Sequence, residues 1–524
     1  MTDVARGAVH RNSYRDSVEL MGIAAQLEGL EGIQRAGLVM ATPANLGVLA
    51  EAGLSVAVPD GAGPNDLVVV VAAVDEATAD GALARAATLL SEGGGAADGP
   101  QEVRAAQTLG EGLAELPDAN LVLISTPGTY ATAEALRALK LGLNVFLFSD
   151  NVSIEDEIRL KTLADERGLL VMGPDCGTAI VAQVPLGFAN AVRHGPIGLV
   201  GASGTGLQQV TSLIHRFGSG VSNAFGTGGR DLDERVGGRT MLAAIRQLLA
   251  DPATEVIVLI SKPPSPTVAA RILEAVRSSP KPVVVNFLGG DPSAVRAVGA
   301  HPAATFEAAA QIAVALAGAG PVPAGLADSG PITVDPHIAA QAADAAVRLA
   351  PGQTEIRGLF SGGSLAGEAK VVLKAILGPD RHDRILDLGD DEYTVGRPHP
   401  MIDPRLRNET IVATAEEPAV GIVLLDVVLG HGSNPDPAQD LAPAIADAMA
   451  LATSAGRLLL VVGSVCGTDL DPQGLARQER ILVQAGVMLE SSNARAAMLA
   501  AAIAVEAGRR SATGPAAPLV GAAD

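Results

Sequence analysis

Two similar segments about 160 residues apart constrain this chain more than any other feature. In each, an apolar strand leads into a turn of small residues and then into a helix, at residues 198–210 and again at residues 358–370. The start of a helix carries unpaired N–H groups and the positive end of the helix dipole, so it binds anions. Two such turns on repeated modules predict that both are directed at one charged ligand.

Every crossover from a strand to a helix needs a tight turn, so glycine alone does not indicate a ligand site. Here hydroxyl side chains stand beside the glycines, and the arrangement occurs twice. In an open parallel sheet, ligands also lie at the carboxyl ends of the strands, where these turns are expected. The residues that we predict to hold the anion and to be catalytic are Ser203, Gly204, Thr205, Gly362, Gly363 and Ser364.

Length and charge narrow the class of protein. A chain of 524 residues predicts three or more domains. Hydrophobic residues make up 48% of the chain but aromatic residues only 2%, so we expect cores of Ala, Val, Leu and Ile. The net charge of −21 argues against binding to nucleic acid. Two cysteines form no disulfide scaffold, and no signal peptide or membrane span is evident, so we expect a cytoplasmic protein.

Alternating strands and helices predict an α/β fold with several doubly wound parallel sheets. We expect a small N-terminal α/β module, a domain with a βαβαβ pattern and two similar repeats. The expected boundaries are residues 1–115 for the N-terminal module, 116–195 for the βαβαβ domain, 196–320 and 355–508 for the two repeats, 321–354 for a linker and 509–524 for a disordered tail.

A second loop of the first repeat is a candidate substrate-binding segment. It contains Gly228, Gly229 and Arg230, and an arginine at such a place can hold a carboxylate or phosphate with two hydrogen bonds. The alternative is a plain loop in which Arg230 pairs with Asp231 or Asp233.

The second repeat has its own candidates. The acidic run at residues 387–392 could ligate Mg²⁺, but a solvated turn is the simpler interpretation, and we expect no metal site. His399 lies between two prolines and is a candidate catalytic residue, while Arg397 and His431 are candidates for substrate binding. Each of these histidines could equally have only a structural role.

Residues 117–320 resemble the α subunit of succinyl-CoA synthetase, and residues 355–508 resemble the C-terminal domain of its β subunit. The similarity rests on Met-Gly-Pro-Asp-Cys-Gly at 172–177, Ser-Gly-Thr at 203–205 and Ser-Gly-Gly-Ser-Leu at 361–365. The resemblance implies that residues 116–195 form a Rossmann-like domain of the CoA-binding type and that the two repeats are flavodoxin-like ligase domains. It also implies CoA binding in the Rossmann-like domain, with Thr126, Pro127 and Cys176 as contacts. In that family the two helix ends face each other and hold a phosphohistidine.

The order of domains, with Tyr-Arg-Asp-Ser-Val-Glu-Leu-Met at residues 14–21, is similar to the FdrA group of acyl-CoA synthetase-like proteins. The chain departs from the ligases because it has no ATP-grasp domain and because residues 286–291 have no histidine where the phosphohistidine would stand. Asn286 lies there instead, and we expect it to contact substrate. The FdrA resemblance implies a subunit of an oxamate carbamoyltransferase in purine and ureide breakdown, which interconverts oxalurate plus phosphate with oxamate plus carbamoyl phosphate.

Three functions therefore stay open. The first is a carbamoyl or acyl transferase that uses phosphate or carbamoyl phosphate and acts with other transferase subunits. The second is an NDP-forming acyl-CoA synthetase that uses CoA and an ATP-grasp partner. The third is a subunit without catalysis that senses CoA or an acyl phosphate. In each case we expect an oligomer.

Overall fold

The computed structural model describes residues 4–11, 13, 15, 17–42, 45–47, 49, 53–54, 62–63, 66–93, 106–277, 279–327, 330–379, 381, 383–394 and 398–513. The chain divides into two compact units, one of residues 1–105 with 395–397 and one of residues 106–394 with 398–524. Tyr14, Asp16, Arg397 and the end of the expected tail, residues 514–524, lie outside the described residues.

The N-terminal unit contains a three-stranded antiparallel sheet in the order β1-β3-β2. Its elements are β1 (Val4–His10), α1 (Ser17–Glu28), β2 (Ile33–Met40), β3 (Leu67–Ala73) and α2 (Glu76–Gly93). One face of β3 packs with both helices in a core that includes Leu27, Val69 and Ala86. Strand β1 is missing from the sequence prediction because its arginine, glycine and alanines give it no apolar run.

The second unit begins with a three-stranded parallel sheet in the order β4-β5-β6. Its elements are α3 (Leu109–Glu115), β4 (Leu121–Ile124), α4 (Gly128–Lys140), β5 (Asn144–Leu147), α5 (Ile154–Arg167) and β6 (Val171–Met172). Ser153 caps α5 by accepting from Asp156 N, and Gly168 ends it in the left-handed conformation. This is the expected Rossmann-like domain.

A seven-stranded sheet follows in the order β13-β12-β11-β9-β10-β7-β8. Its strands are β7 (Thr178–Val181), β8 (Val184–Gly187), β9 (His194–Ala202), β10 (Val221–Gly226), β11 (Val256–Ser261), β12 (Val283–Phe287) and β13 (His301–Pro302). Its helices are α6 (Gly204–Arg216), α7 (Arg239–Ala250), α8 (Pro266–Val276), α9 (Pro292–Ala297) and α10 (Phe306–Ala317). The hairpin β7-β8 pairs antiparallel with β10. Residues 178–187 therefore join the sheet of the first repeat, although the sequence analysis places them in the Rossmann-like domain.

The second repeat is a five-stranded parallel sheet in the order β15-β14-β16-β17-β18. Its strands are β14 (Glu355–Phe360), β15 (Arg384–Asp387), β16 (Val420–Val428), β17 (Leu460–Cys466) and β18 (Val487–Glu490). The helices from residue 324 onward are α11 (Ala324–Ala327), α12 (Pro336–Ala346), α13 (Gly363–Leu377), α14 (Asp391–Thr394), α15 (Arg405–Thr414), α16 (Pro437–Ser454), α17 (Leu475–Gln484) and α18 (Asn493–Thr513). The expected α/β fold class of parallel sheets is confirmed.

One hydrophobic core is shared by the two repeats. Leu207 of α6, Phe306 of α10, Ile338 of α12, Leu365 of α13 and Leu499 of α18 all belong to it. Helix α12 thus belongs to the core and is more than a piece of linker. Helix α18 continues to Thr513, past the start of the expected tail at residue 509, because its alanines pack closely on this core. The shared core places α6 and α13 side by side.

A buried set of charges joins the Rossmann-like domain to the first repeat. Lys161 of α5 lies 2.8 Å from both Glu157 and Asp231, and all three side chains are at most 1% exposed. Asp231 also accepts from the N–H groups of Thr240 and Met241 at the start of α7. Since a buried charge is costly unless it is paired, the lysine holds the two carboxylates in place.

Lys161→Met should therefore destabilise this unit by about 3–5 kcal/mol, because the buried Asp231 loses its cation and the buried Glu157 keeps only Arg230. Urea unfolding followed by circular dichroism measures the loss. The matched control is Arg239→Met, which removes a partly exposed pair with Asp165 between α7 and α5 and should cost about 1 kcal/mol or less. Equal losses in the two variants would contradict a central role for Lys161.

Candidate functional site

The two predicted turns meet. Helices α6 and α13 begin at the carboxyl ends of β9 and β14, and Ser203 Oγ donates to Ser364 Oγ at 2.6 Å. Ser364 N also donates to Thr205 Oγ1 at 3.3 Å. Neither helix is capped by the side chain of its own N-cap residue, which is Ser203 in α6 and Gly362 in α13. The structure thus places two positively polarised helix ends, uncapped in this sense, against each other.

The glycines at the second turn are required by close contacts. A Cβ on Gly362 would lie 2.9 Å from Thr205 Oγ1 and 3.0 Å from Asp426 Oδ2. A Cβ on Gly363 would collide with the carboxylate of Asp387. A larger residue at position 362 would therefore push the helix ends apart, and one at position 363 would displace Asp387.

A buried aspartate holds the start of α13. Asp426, two residues before the end of β16, accepts from Ser361 N and Gly362 N, both at 2.8 Å, and from Ser361 Oγ at 3.0 Å. Arg407 of α15 pairs with the same carboxylate at 3.1 Å, and both side chains are almost fully buried. Burial raises the pKa of Asp426, while Arg407 and the N–H donors oppose that shift. The negative charge at this point is therefore matched inside the protein.

A second carboxylate and a lysine flank the helix ends. Asp387 ends β15 and accepts from Gly389 N at 3.1 Å. Burial raises the pKa of Asp387, and the nearby charge of Lys262 acts to lower it. Lys262 directly follows Ser261, whose strand partner is Ala202, so it stands beside Ser203 at the same sheet edge. An exposed cation from the first repeat is thus present next to the meeting point.

His399 lies at the second turn as a neutral imidazole. Its Nε2 is against the backbone of Gly389, and its Nδ1 accepts from Met401 N at 3.2 Å. Its ring lies 6.0 Å from that of Phe188. Burial, with a smaller contribution from Arg407, lowers the pKa of His399 to about 4. The ring is therefore uncharged at neutral pH, and its predicted catalytic role stays a prediction.

The loop of Gly228, Gly229 and Arg230 is directed elsewhere. Arg230 pairs with Glu157 at 3.1 Å and donates to Val152 O at 2.8 Å. It thus contacts the Rossmann-like domain and pairs with neither of the aspartates considered above, while its predicted contact with substrate stays a prediction. Gly228 has a positive φ of 82° and packs against Pro174 O, which explains the glycine.

Asn286 and His431 have mainly structural contacts in the described residues. Asn286 Nδ2 donates to Ala303 O at 2.9 Å, and its buried Oδ1 has no partner among the groups that the structure describes. His431 is exposed on the loop after β16, and its backbone N–H donates to Ala189 O at 2.9 Å. Their expected contacts with substrate remain predictions.

The three expected CoA contacts differ in accessibility. Thr126 is exposed, and Pro127 precedes α4, whose N-terminus has no side-chain cap. Cys176 is only 2% exposed, and burial raises the pKa of its thiol to about 12. Its sulfur lies against Gly226 in the core, so in this structure it does not reach the surface where a cofactor would bind.

Sequence reasoning missed Asp426, Arg407 and Lys262, and it treated Asp387 only as part of an acidic run. Three of these residues share a signal that could have found them. Asp387 ends its strand, Asp426 lies two residues before the end of an apolar strand, and Lys262 follows one. Functional side chains are common at such places in parallel sheets. Arg407 has no such signal, because its partner lies 19 residues further along the chain.

No group of three or more acidic, histidine or cysteine side chains suited to a metal ion occurs within the described residues. Helices long and apolar enough to cross a membrane are likewise not found among them.

The lowered pKa of His399 predicts a pH effect on stability. Between pH 6.5 and about 4 the unfolded chain takes up a proton that the folded chain does not, so the free energy of unfolding falls as the pH falls through this window. The contribution approaches about 3 kcal/mol at the acid end. His399→Phe should remove it, so the stability of the wild type relative to the variant should decline below pH 6.5 and stay constant above pH 7. Urea unfolding of both proteins at pH 7.5, 6 and 5 measures this, and parallel profiles would contradict it.

Three family models match this chain. The AllF heavy metal-associated domain matches residues 1–106, the CoA-binding domain residues 192–289 and the CoA-ligase domain residues 359–503. The CoA-binding match falls on the first repeat, whereas the sequence analysis assigns that role to residues 116–195. Both cysteines, Cys176 and Cys466, lie outside residues 1–106, so this module has no thiolates for a heavy metal.

The solved structures that match this chain include the dinucleotide-forming acetyl-coenzyme A synthetase 1 of Ca. Korarchaeum cryptofilum. It is 16% identical with a TM-score of 0.32, over 76% of this chain and 85% of that chain. The ATP citrate lyase of Methanothrix soehngenii is 13% identical with a TM-score of 0.35, over 77% and 84%.

Among curated proteins, the α-2 subunit of the mitochondrial ADP-forming succinate–CoA ligase of Trichomonas vaginalis is 31% identical over 150 residues, 28% of this chain and 47% of that subunit. The chain thus spans about half the length of this ligase subunit. The uncharacterized protein YahF of Escherichia coli K12 is 43% identical over 509 residues, which are 93% of this chain and 96% of YahF. The chain therefore belongs to the YahF family, within the acyl-CoA synthetase group that combines CoA-binding and CoA-ligase domains.

Proposed function

We propose that this chain binds an acyl phosphate between its two facing helix ends and exchanges the acyl group with CoA, as one component of an NDP-forming acyl-CoA synthetase. The observation that carries the proposal is the direct contact of two uncapped helix N-termini through Ser203 and Ser364. The matches to CoA-binding and CoA-ligase domains support the same class of reaction.

The electrostatics of the site suit a phosphoryl group. Backbone N–H groups at both helix ends and the two serine hydroxyls are donors, and Lys262 adds a positive charge at the same edge. The charge of Asp426 is already matched by Arg407, so it does not repel an anion as a free carboxylate would. When a nucleophile attacks the acyl carbon, the same donors stabilise the developing oxyanion, and phosphate leaves.

CoA would supply the thiol that accepts the acyl group. The start of α4 fits a phosphate of this cofactor, because it has no side-chain cap on its first N–H groups. Thr126 is exposed beside it and can donate a further hydrogen bond. A nucleotide site would come from an ATP-grasp partner.

A second candidate is a carbamoyltransferase that moves a carbamoyl group between phosphate and oxamate with other subunits. The observation in its favour is that residues 286–291, which follow the core of β12, contain no histidine. Transfer directly from carbamoyl phosphate needs no phosphohistidine. A subunit that only senses such ligands would bind them without turnover.

Removal of the two hydroxyls tests the proposed site. Ser203→Ala/Ser364→Ala should weaken the binding of acetyl phosphate and carbamoyl phosphate about tenfold or more, since each lost hydrogen bond costs about 1 kcal/mol. Isothermal titration calorimetry on the full chain measures the affinity, and Ser293→Ala, at the start of α9, is the matched control. Unchanged affinity in the double variant would exclude the helix ends as the binding site.

The same titrations separate the candidate functions. Binding of CoA, together with acid-labile phosphate on the chain after incubation with ATP–Mg²⁺ and an ATP-grasp partner, supports the synthetase. Binding of carbamoyl phosphate and oxamate without CoA supports the transferase. If acetyl phosphate, carbamoyl phosphate, CoA and oxamate all fail to bind, the result would contradict both the synthetase and the transferase.

Lys262 should contribute through its charge. We expect Lys262→Ala to weaken the binding of either acyl phosphate about tenfold and to reduce the dependence of affinity on salt, because one exposed cation is lost. Lys370→Ala is the control, since Lys370 is an exposed lysine on α13 itself, two turns from the helix start. Equal effects of the two variants would indicate a general charge effect and would contradict a specific role for Lys262.

A further inference from the structure

Glu368 is a buried carboxylate that joins three helices. It lies on α13 and is 0% exposed. Its Oε1 accepts from Phe306 N, the first residue of α10, at 2.6 Å, and its Oε2 accepts from Asn493 Nδ2, at the start of α18, at 2.8 Å. The Asn493 amide also donates to Leu365 O on α13 at 2.9 Å. One carboxylate thus accepts hydrogen bonds from the N-terminal ends of two helices, and each of these ends is favourable for a negative charge.

The neighbouring residues reinforce this junction. Glu307, which follows Phe306, accepts from Ser492 Oγ at 2.8 Å. The start of α10 in the first repeat and the start of α18 in the second are therefore tied together twice, once through Glu368 and once directly.

Phe306 carries the connection to the other helix end. Its fully buried ring lies 3.1 Å from the place that a Cβ of Gly206 would occupy. Gly206 is in the first turn of α6, three residues after Ser203. Phe306, whose N–H group donates to Glu368, is thus also the residue that packs against the first turn of α6.

From this geometry we infer that Glu368 is a positioning residue that aligns the two helix ends of the site. It stands on the helix that supplies one end, and through Phe306 it fixes the helix that supplies the other. The inference deepens the proposed function and rests on it only for the effect on ligand binding. The alignment itself can be measured without any ligand.

Glu368→Gln is the informative change. It keeps the length and shape of the side chain, but an amide has one accepting oxygen, and its NH₂ group faces a second donor. Either Phe306 N or Asn493 Nδ2 therefore loses its acceptor, and the starts of α10 and α18 are no longer held together by one group.

The alignment of the two helix ends can be measured with an engineered disulfide between them. Ser203→Cys/Ser364→Cys places two thiols where the hydroxyls now lie 2.6 Å apart, and both native cysteines are buried. The equilibrium constant for thiol–disulfide exchange of this pair with glutathione reports how well the two ends are held. Adding Glu368→Gln should lower this constant at least tenfold and should weaken phosphate binding of the chain without the introduced thiols by a similar factor.

The control is Glu417→Gln, the same chemical change in the same repeat. Glu417 pairs with Arg357 and precedes β16, at the edge of the sheet opposite the helix ends. It should lower the melting temperature without changing the exchange constant. If Glu368→Gln does not fold, Glu368→Asp, which keeps the charge and shortens the reach by one methylene, should lower the exchange constant by a smaller factor.

An exchange constant that stays within twofold of its parent in the folded Glu368 variant would overturn the positioning role. A tenfold fall in the exchange constant, with no phosphate binding even to the wild type, would support the positioning role and contradict the proposed function. A fall in both quantities, absent from Glu417→Gln, would support the two together.

Discussion

Buried carboxylates that accept backbone N–H groups hold the second unit together. Asp426 accepts hydrogen bonds from the N–H groups at the start of α13, and Asp231 accepts from those at the start of α7. Glu368 accepts from the N–H group of Phe306 at the start of α10. Asp471 does the same for Ala191 and Thr468, which come from different repeats. A carboxylate in the interior is costly unless its oxygens are satisfied, so each of these groups fixes the chain segments that surround it.

The parts of this architecture that follow local sequence rules could be predicted. The long apolar strands and small-residue turns showed two parallel α/β repeats, and the spacing of the turns showed where the helices begin. Register and partner choice had no local signal. The hairpin β7-β8 joins the sheet of the first repeat because Ile180 pairs with Ala224, more than 40 residues later in the chain. Likewise, Arg230 pairs with Glu157, a residue in another domain.

In the candidate site, too, some residues have a local sequence signal and others have none. The hydroxyls and glycines at the two turns could be identified because they stand in the segments that repeat. Arg407 and Glu368 could not, because they act through side chains or backbone groups distant in sequence, and nothing near them distinguishes them from other helix residues. The resemblance to the ligases pointed to the helix ends, but it could not show which buried groups align them.

The net charge of −21 sets a final constraint on the site. A strongly acidic chain repels small anions at long range, and an anion site in it must depend on groups that act at short range. Backbone N–H groups and hydroxyls have this property, because they keep no net charge and are directed at one point. Their strength depends on geometry, since misalignment by a fraction of a hydrogen-bond length removes most of it. Under the proposed function, the affinity for a phosphorylated ligand would therefore depend on how rigidly the helix ends are held, and hence on buried residues that do not contact the ligand.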